Sequence, residues 1–184
     1  MRVYLSGSHG VGKSTLARYV SNKYSLPMLT EAARMVLSER ELQIDTLRYD
    51  MDVVDSYQKA VYCRQLDEEA KMDNFVADRC VIDNLAYSAT HSRIFRDLFD
   101  TSDLLANVEI LRKPDSVIFF VRPSEATLHQ DGVRERINWD GVVTIDAQIK
   151  LLFEIYNIRY FQIDTESMQE RVKIIESVLS LIPR

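Results

Sequence analysis

Gly7-Ser8-His9-Gly10-Val11-Gly12-Lys13-Ser14 follows the strand-like run Val3-Tyr4-Leu5 and opens a helix-periodic stretch from Lys13 to Tyr24. The eight residues fit G-x-x-x-x-G-K-[ST] in full, and a strand before with a helix after is the setting in which that spacing cradles phosphate. Average residue usage gives a chance match in a chain of this size on the order of 1 in 100, and the strand–helix setting lowers it. The glycines open backbone conformations that a Cβ would close. Successive N–H groups then converge on phosphate oxygens at the positive end of the helix. Lys13 supplies a point charge for the β- and γ-phosphates of ATP, and Ser14 a hydroxyl for Mg²⁺. Ser8, His9, Gly10, Val11 and Gly12 complete the expected cradle, with Thr15 as the next hydroxyl toward the α-phosphate. His9 holds a variable position of the loop and reads as a side chain facing solvent or the acceptor.

Outward from this loop, short apolar runs alternate with longer amphipathic ones. Strands are expected at Arg2–Ser6, Pro27–Thr30, Asn74–Asp78, Ser116–Val121 and Arg159–Ile163. Helices are expected at 13–24, 31–41, 46–73, 84–99, 103–111, 144–157 and 166–181. In the long third helix Leu47, Met51, Val54, Tyr57 and Val61 recur every three or four residues, an amphipathic stripe. The unbroken run Val117-Ile118-Phe119-Phe120-Val121 fits a strand covered on both faces. Strands separated by helices imply an α/β fold, a parallel sheet with helices on both sides. Residues 123–141 are polar and charged, contain two glycines, and read as a connector; an irregular stretch of that length is usually functional or disordered.

Bulk properties narrow the class. A length of 184 residues suits one domain. With 46% apolar and 28% charged residues, composition is close to ordinary globular usage and argues against global disorder. The net charge of −5 argues against a duplex nucleic-acid binder, which usually carries a basic face. Cys63 and Cys80 follow no metal or redox spacing and read as reduced thiols in packed positions. No apolar run reaches the ~18 residues of a membrane helix, and the N-terminus runs straight into the loop. The expected location is therefore the cytoplasm.

In open parallel sheets, ligands bind beyond the carboxyl ends of the strands. That rule selects Glu31 and Arg34 after strand two, Asp78 and Arg79 after strand three, and Arg122 after strand four. Phosphoryl transfer needs a carboxylate on the metal side, a group orienting the acceptor and cations for the transition-state charge. Asp78, ending an apolar strand, suits Mg²⁺ directly or through water. Glu31 suits the acceptor's hydroxyl, and Arg34 and Arg79 an acceptor phosphate held bidentately. Arg134 and Arg136, two apart in an extended loop, would share one side. They suit a lid that closes over the transferring phosphate and excludes water. Asp131 would position that lid, and Trp139 reads as a packing residue.

Gly7–Ser14, Thr30-Glu31-Ala32-Ala33-Arg34, Asp78-Arg79 with Ile82-Asp83-Asn84-Leu85-Ala86-Tyr87, and Asp131-Gly132-Val133-Arg134 together resemble the small P-loop kinases. These are the relatives of thymidylate and deoxynucleoside kinases and of the nicotinamide-riboside kinase domain. The resemblance spans about residues 1–165. It implies a three-layer α/β/α sandwich on a five-stranded parallel sheet of order 2-3-1-4-5, an ATP donor, Mg²⁺ and a lid after strand four. Asp78-Arg79 is similar to the thymidylate-kinase pair near the acceptor phosphate, and Glu31 to the deoxynucleoside-kinase carboxylate on the 5′-hydroxyl. The expected activity is transfer of the γ-phosphate of ATP to a nucleoside monophosphate, a deoxynucleotide first, or to a nucleoside. Adenine would fall near residues 164–168. A homodimer is compatible with this reading.

Two alternatives are a kinase acting on a modified base or sugar in a polynucleotide, and a nucleotide-binding regulatory switch without kinase activity. The second is weakened because the chain's Asn22-Lys23 is followed by Tyr24-Ser25 and lies in the first helix, not in a guanine-specifying Asn-Lys-x-Asp after a later strand. A motor or AAA-type ATPase is normally larger and oligomeric.

Overall fold

The computed structural model describes residues 1–39, 50–125 and 139–182. Its sheet has strands β1 (Arg2–Ser6), β2 (Met28–Leu29), β3 (Phe75–Asp78), β4 (Ser116–Val121) and β5 (Phe161–Ile163). All pairings are parallel, in the order β2-β3-β1-β4-β5. The helices are α1 (Lys13–Tyr24), α2 (Ala32–Glu39), α3 (Met51–Ala70), α4 (Val81–His91), α5 (Phe95–Leu98), α6 (Ser102–Leu111), α7 (Trp139–Ile155) and α8 (Met168–Ser180).

Alternation along the strands builds the layers. Val3, Leu5, Val76, Val117, Phe119 and Val121 pack with Leu16, Ala17 and Val20 of α1 and Ile175 and Leu179 of α8. Their neighbours Tyr4, Phe75, Ala77, Ile118 and Phe120 point the other way, into a larger cluster with α4, α6 and α7. The period of two therefore serves two cores from one sheet, the reason the strand sequences are apolar throughout. The central position of β1, between β3 and β4, opens the crevice at its carboxyl end where the glycine loop begins.

Several boundaries differ from the sequence expectation. Helix α3 starts at Met51 because the Asp50 carboxylate accepts from the N–H groups of Asp52 and Val53, at 2.9 and 3.4 Å. Its apolar stripe is buried from Val54 onward, whereas Met51 is exposed; Leu47 lies outside the described residues. Helix α4 starts at Val81, not at 84, because Asp83 folds back to accept from Cys80 N–H at 2.9 Å. It stops at His91: Ser92 is extended and its hydroxyl donates to Ser88 O at 2.7 Å. The expected single helix 84–99 is thus two. Of the two thiols expected to be packed, Cys80 is buried, but Cys63 lies on the exposed side of α3. Helix α7 begins at Trp139, so the last three residues of the expected connector are helical, while 126–138 lie outside the described residues. Asp140 stands in the first turn of α7, where the helix dipole favours a carboxylate.

Candidate active site

The loop between β1 and α1 needs two of its glycines for different reasons. Gly7 has φ +142°, and a Cβ there would stand 2.4 Å from the Val121 carbonyl oxygen. Gly12 has φ +89° and leads into the first turn of α1. Side chains with a Cβ are strained in both conformations. Gly7 N–H donates to Asp83 Oδ1 at 2.8 Å, which ties the start of the loop to α4. Ser8 is fully buried, and among the described residues its hydroxyl has no hydrogen-bond partner. The Val11 side chain belongs to the core, leaving only its backbone to the loop.

A cavity of about 280 Å³ stands over this loop. His9, Gly10, Gly12, Lys13, Ser14 and Thr15 of the loop and α1 line it together with Glu31, Arg34, Asp78 and Arg79. Lys13 Nζ donates to the Ser8 carbonyl, and Ser14 Oγ donates to Asp78 Oδ2. Lys13 is almost completely buried; burial first and the nearby Arg79 charge second lower its pKa to about 7. A bound polyphosphate would reverse that penalty by supplying the missing counter-charge.

Glu31 accepts from both arginines. Arg79 Nε donates to Oε1 at 2.8 Å and Arg34 Nε to Oε2 at 2.9 Å. Burial works to raise the Glu31 carboxyl, but the charge and hydrogen bond of Arg79, with Lys13 and Arg34 behind them, win and hold it at about 2. It is therefore ionised at neutral pH. Arg79 is buried, takes the unusual φ of +95°, and also donates from Nη1 to Gly7 O at 3.2 Å. Its guanidinium lies over the Tyr87 ring at 4.7 Å. Arg34, by contrast, keeps a side chain 63% exposed.

His9 does more than face solvent. Its Nδ1 meets the Tyr87 hydroxyl at 2.9 Å. The variable loop position is thus linked through Tyr87 to the arginine beside Glu31. Arg122 stands outside the cavity: Asp146 engages it at 3.1 and 2.8 Å, and it covers the Phe120 ring. The paired lid arginines Arg134 and Arg136, with Asp131, lie outside the described residues.

The donor set can be tested against a magnesium ion. Mg²⁺ keeps several waters and takes one or two protein oxygens plus substrate phosphates. A hydroxyl and a carboxylate already in contact, Ser14 and Asp78, fit that demand. Among the described residues no group of three or more His, Cys, Asp or Glu side chains could hold a metal by itself. No described helix is long and apolar enough to cross a membrane.

Three residues at the site have no role assigned in the sequence reading. Asp83 is fully buried and accepts from Gly7 N–H, Cys80 N–H and Cys80 Sγ. The spacing from Cys80 to Asp83 is that of a capping box, which was the available signal. Tyr87 is one turn further along α4, on the same side. Arg171, on α8, reaches the loop from behind and had no signal, since an arginine in an amphipathic helix ordinarily reads as a solvated side chain. Asp83→Ala is expected to destabilise the fold by about 3 kcal/mol, since it strands two buried N–H donors. A urea melt read by circular dichroism checks this; a midpoint within error of the parent would refute the anchoring role.

A family model described as an AAA domain matches residues 2–171. Length argued against that class, but length is a weak discriminator here: the match runs from β1 into α8 within this one chain. No curated protein sequence matches. Among solved structures, deoxyadenosine kinase from M. mycoides, with its products dCMP and dCDP bound, aligns with a TM-score of 0.68 at 15% identity, over 98% of this chain and 99% of that one. NadR protein in complex with NR aligns at 0.71 and 16%, over 98% of this chain and 49% of that one. Shikimate kinase from Acinetobacter baumannii, in complex with shikimate, gives 0.57 and 14%, over 98% and 92%. These likenesses establish the fold of the small P-loop kinases.

Proposed function

The chain belongs to the AAA-domain family and has the small P-loop kinase fold, and on that premise we propose that it moves the γ-phosphate of ATP to a nucleoside monophosphate, a deoxynucleotide first, or to a nucleoside. The observation that carries the reading is the content of one cavity. Lys13, Ser14 and Asp78 line the same space as Glu31, Arg79 and Arg34. A donor cradle and an acceptor-orienting ion cluster in the same space suit transfer between two bound molecules.

In this reading the loop N–H groups and Lys13 hold the β- and γ-phosphates. Ser14 and Asp78 would hold Mg²⁺, which when bound with the nucleotide offsets phosphate charge. The acceptor oxygen attacks the γ-phosphorus as the bond to the β–γ bridging oxygen breaks, and ADP leaves. Held near 2, the Glu31 carboxylate is a weak base, so its task is to orient an acceptor hydroxyl through a hydrogen bond. It takes the proton only once the oxygen is bonding to phosphorus. This favours a nucleoside hydroxyl as the second reading. The remaining N–H groups of Arg34 and Arg79 favour a monophosphate acceptor. Arg134 and Arg136 are proposed to close over the transferring group.

Incubation with γ-labelled ATP and Mg²⁺ against nucleosides, monophosphates, nicotinamide riboside and oligonucleotides tests the reading. Label is expected on a monophosphate or a nucleoside. Label on oligonucleotides alone would favour the polynucleotide alternative. Transfer to nothing, with rapid release of free phosphate, would sink the kinase reading and favour a nucleotide switch.

A further inference from the structure

Arg171 is among the largest fully buried side chains of the described residues, at 1% exposure, on a helix whose other face meets water. A buried guanidinium normally meets a carboxylate. This one donates to two backbone carbonyls instead: Nη1 to Val11 O in the phosphate loop, and Nε to Thr165 O, at 2.6 Å, in the loop after β5. Its Nη2 is buried without a partner among the described residues. A Cβ on Gly12 would meet Met168 Cε at 3.2 Å and Arg171 Nη1 at 3.5 Å, so α8 is pressed against the back of the cradle.

The peptide plane gives this contact a consequence. In a trans peptide the carbonyl and the following N–H point in opposite directions. Arg171 draws the Val11 carbonyl away from the cavity, which turns the Gly12 N–H toward it; Gly12 is one of the residues lining that space. A planar fork with fixed donor directions can hold two carbonyls at once, which an ammonium does not reproduce.

We propose that Arg171 is a positioning residue for the nucleotide: it aims the Gly12 N–H at the phosphates and locks the phosphate loop to the 164–167 segment at the end of β5, the expected base side. The proposal rests on the ATP-donor reading above. It assigns one side chain to both ends of the donor, so loss of that side chain weakens phosphate binding even where no base is present.

Calorimetric titration of ATP and of inorganic tripolyphosphate into the parent, Arg171→Met and Arg171→Lys tests it. Both ligands are expected to bind about tenfold more weakly to both variants, the size of one charge-assisted hydrogen bond. The acceptor KM is expected to stay within twofold. Should Arg171→Met fold poorly, Arg171→Lys retains the stem and charge and carries the test. Full affinity in Arg171→Lys would overturn the fork. Weaker ATP with unchanged tripolyphosphate would confine Arg171 to the base side and overturn the proposal. A lower Tm with both affinities unchanged would make it packing only. A parent that binds neither ligand overturns the donor reading itself, and the proposal with it.

Discussion

Replacing Lys13 by Met is expected to lower phosphoryl transfer by roughly a thousandfold, the scale on which one lost donor at a developing charge acts. The ammonium is the only cation contributed by the loop itself, and it stands in the cavity beside Ser14 and Asp78. The fold is expected to stand. A buried lysine whose pKa is lowered to about 7 costs the folded state stability at every pH below its usual value, most of all below 7. Met keeps the stem's volume and removes that cost, so Tm should hold or rise. The same shift sets a pH dependence in the parent. ATP engages the protonated amine, so binding takes up a proton, and affinity is full below pH 7 and falls above it. Calorimetry in buffers of different ionisation enthalpy reads the proton directly. Near-parental turnover in Lys13→Met, or ATP affinity rising from pH 7 to 9, would refute the assignment.

Gly7→Ala is expected to be the most destabilising single change at the site. The added Cβ would stand 2.4 Å from the Val121 carbonyl oxygen, an atom of β4 backbone that cannot swing aside. The φ of +142° is itself costly for alanine, on the order of 1–3 kcal/mol. Separating β1 from β4 to relieve the contact would loosen the sheet's central pairing. Together these give about 4 kcal/mol, which at this chain length lowers Tm by roughly 8–16 °C. Differential scanning calorimetry checks it. A shift of less than about 2 °C would show that the loop relaxes elsewhere, and that Gly7 is not held by Val121.

The order of elements and the strand-flanked loop were legible in the sequence because both rest on local signals. The unbroken run at 117–121 identifies a strand buried on both faces, and the glycine spacing identifies a phosphate cradle. Boundaries were harder where a side chain folds back onto its own backbone. Asp50 and Asp83 set two helix starts by capping, and Ser92 ends a helix that periodicity alone would carry to residue 99.

At the site, the sequence determined which residue types stand in the glycine loop and beyond the strand ends: Lys13, Ser14, Glu31, Arg34, Asp78 and Arg79 line one cavity. Only the tertiary structure decided how they divide their bonds. Glu31 is shared by two arginines, Arg79 is drawn inward by Gly7 O and Tyr87, and Arg122 is taken up by Asp146. Arg171 reaches Val11 across 160 residues of chain. Spacing in sequence reports what a residue can do next to its neighbours. Which partner claims a charge depends on burial and distance between elements far apart in the chain, and those exist only once the sheet has brought the elements together.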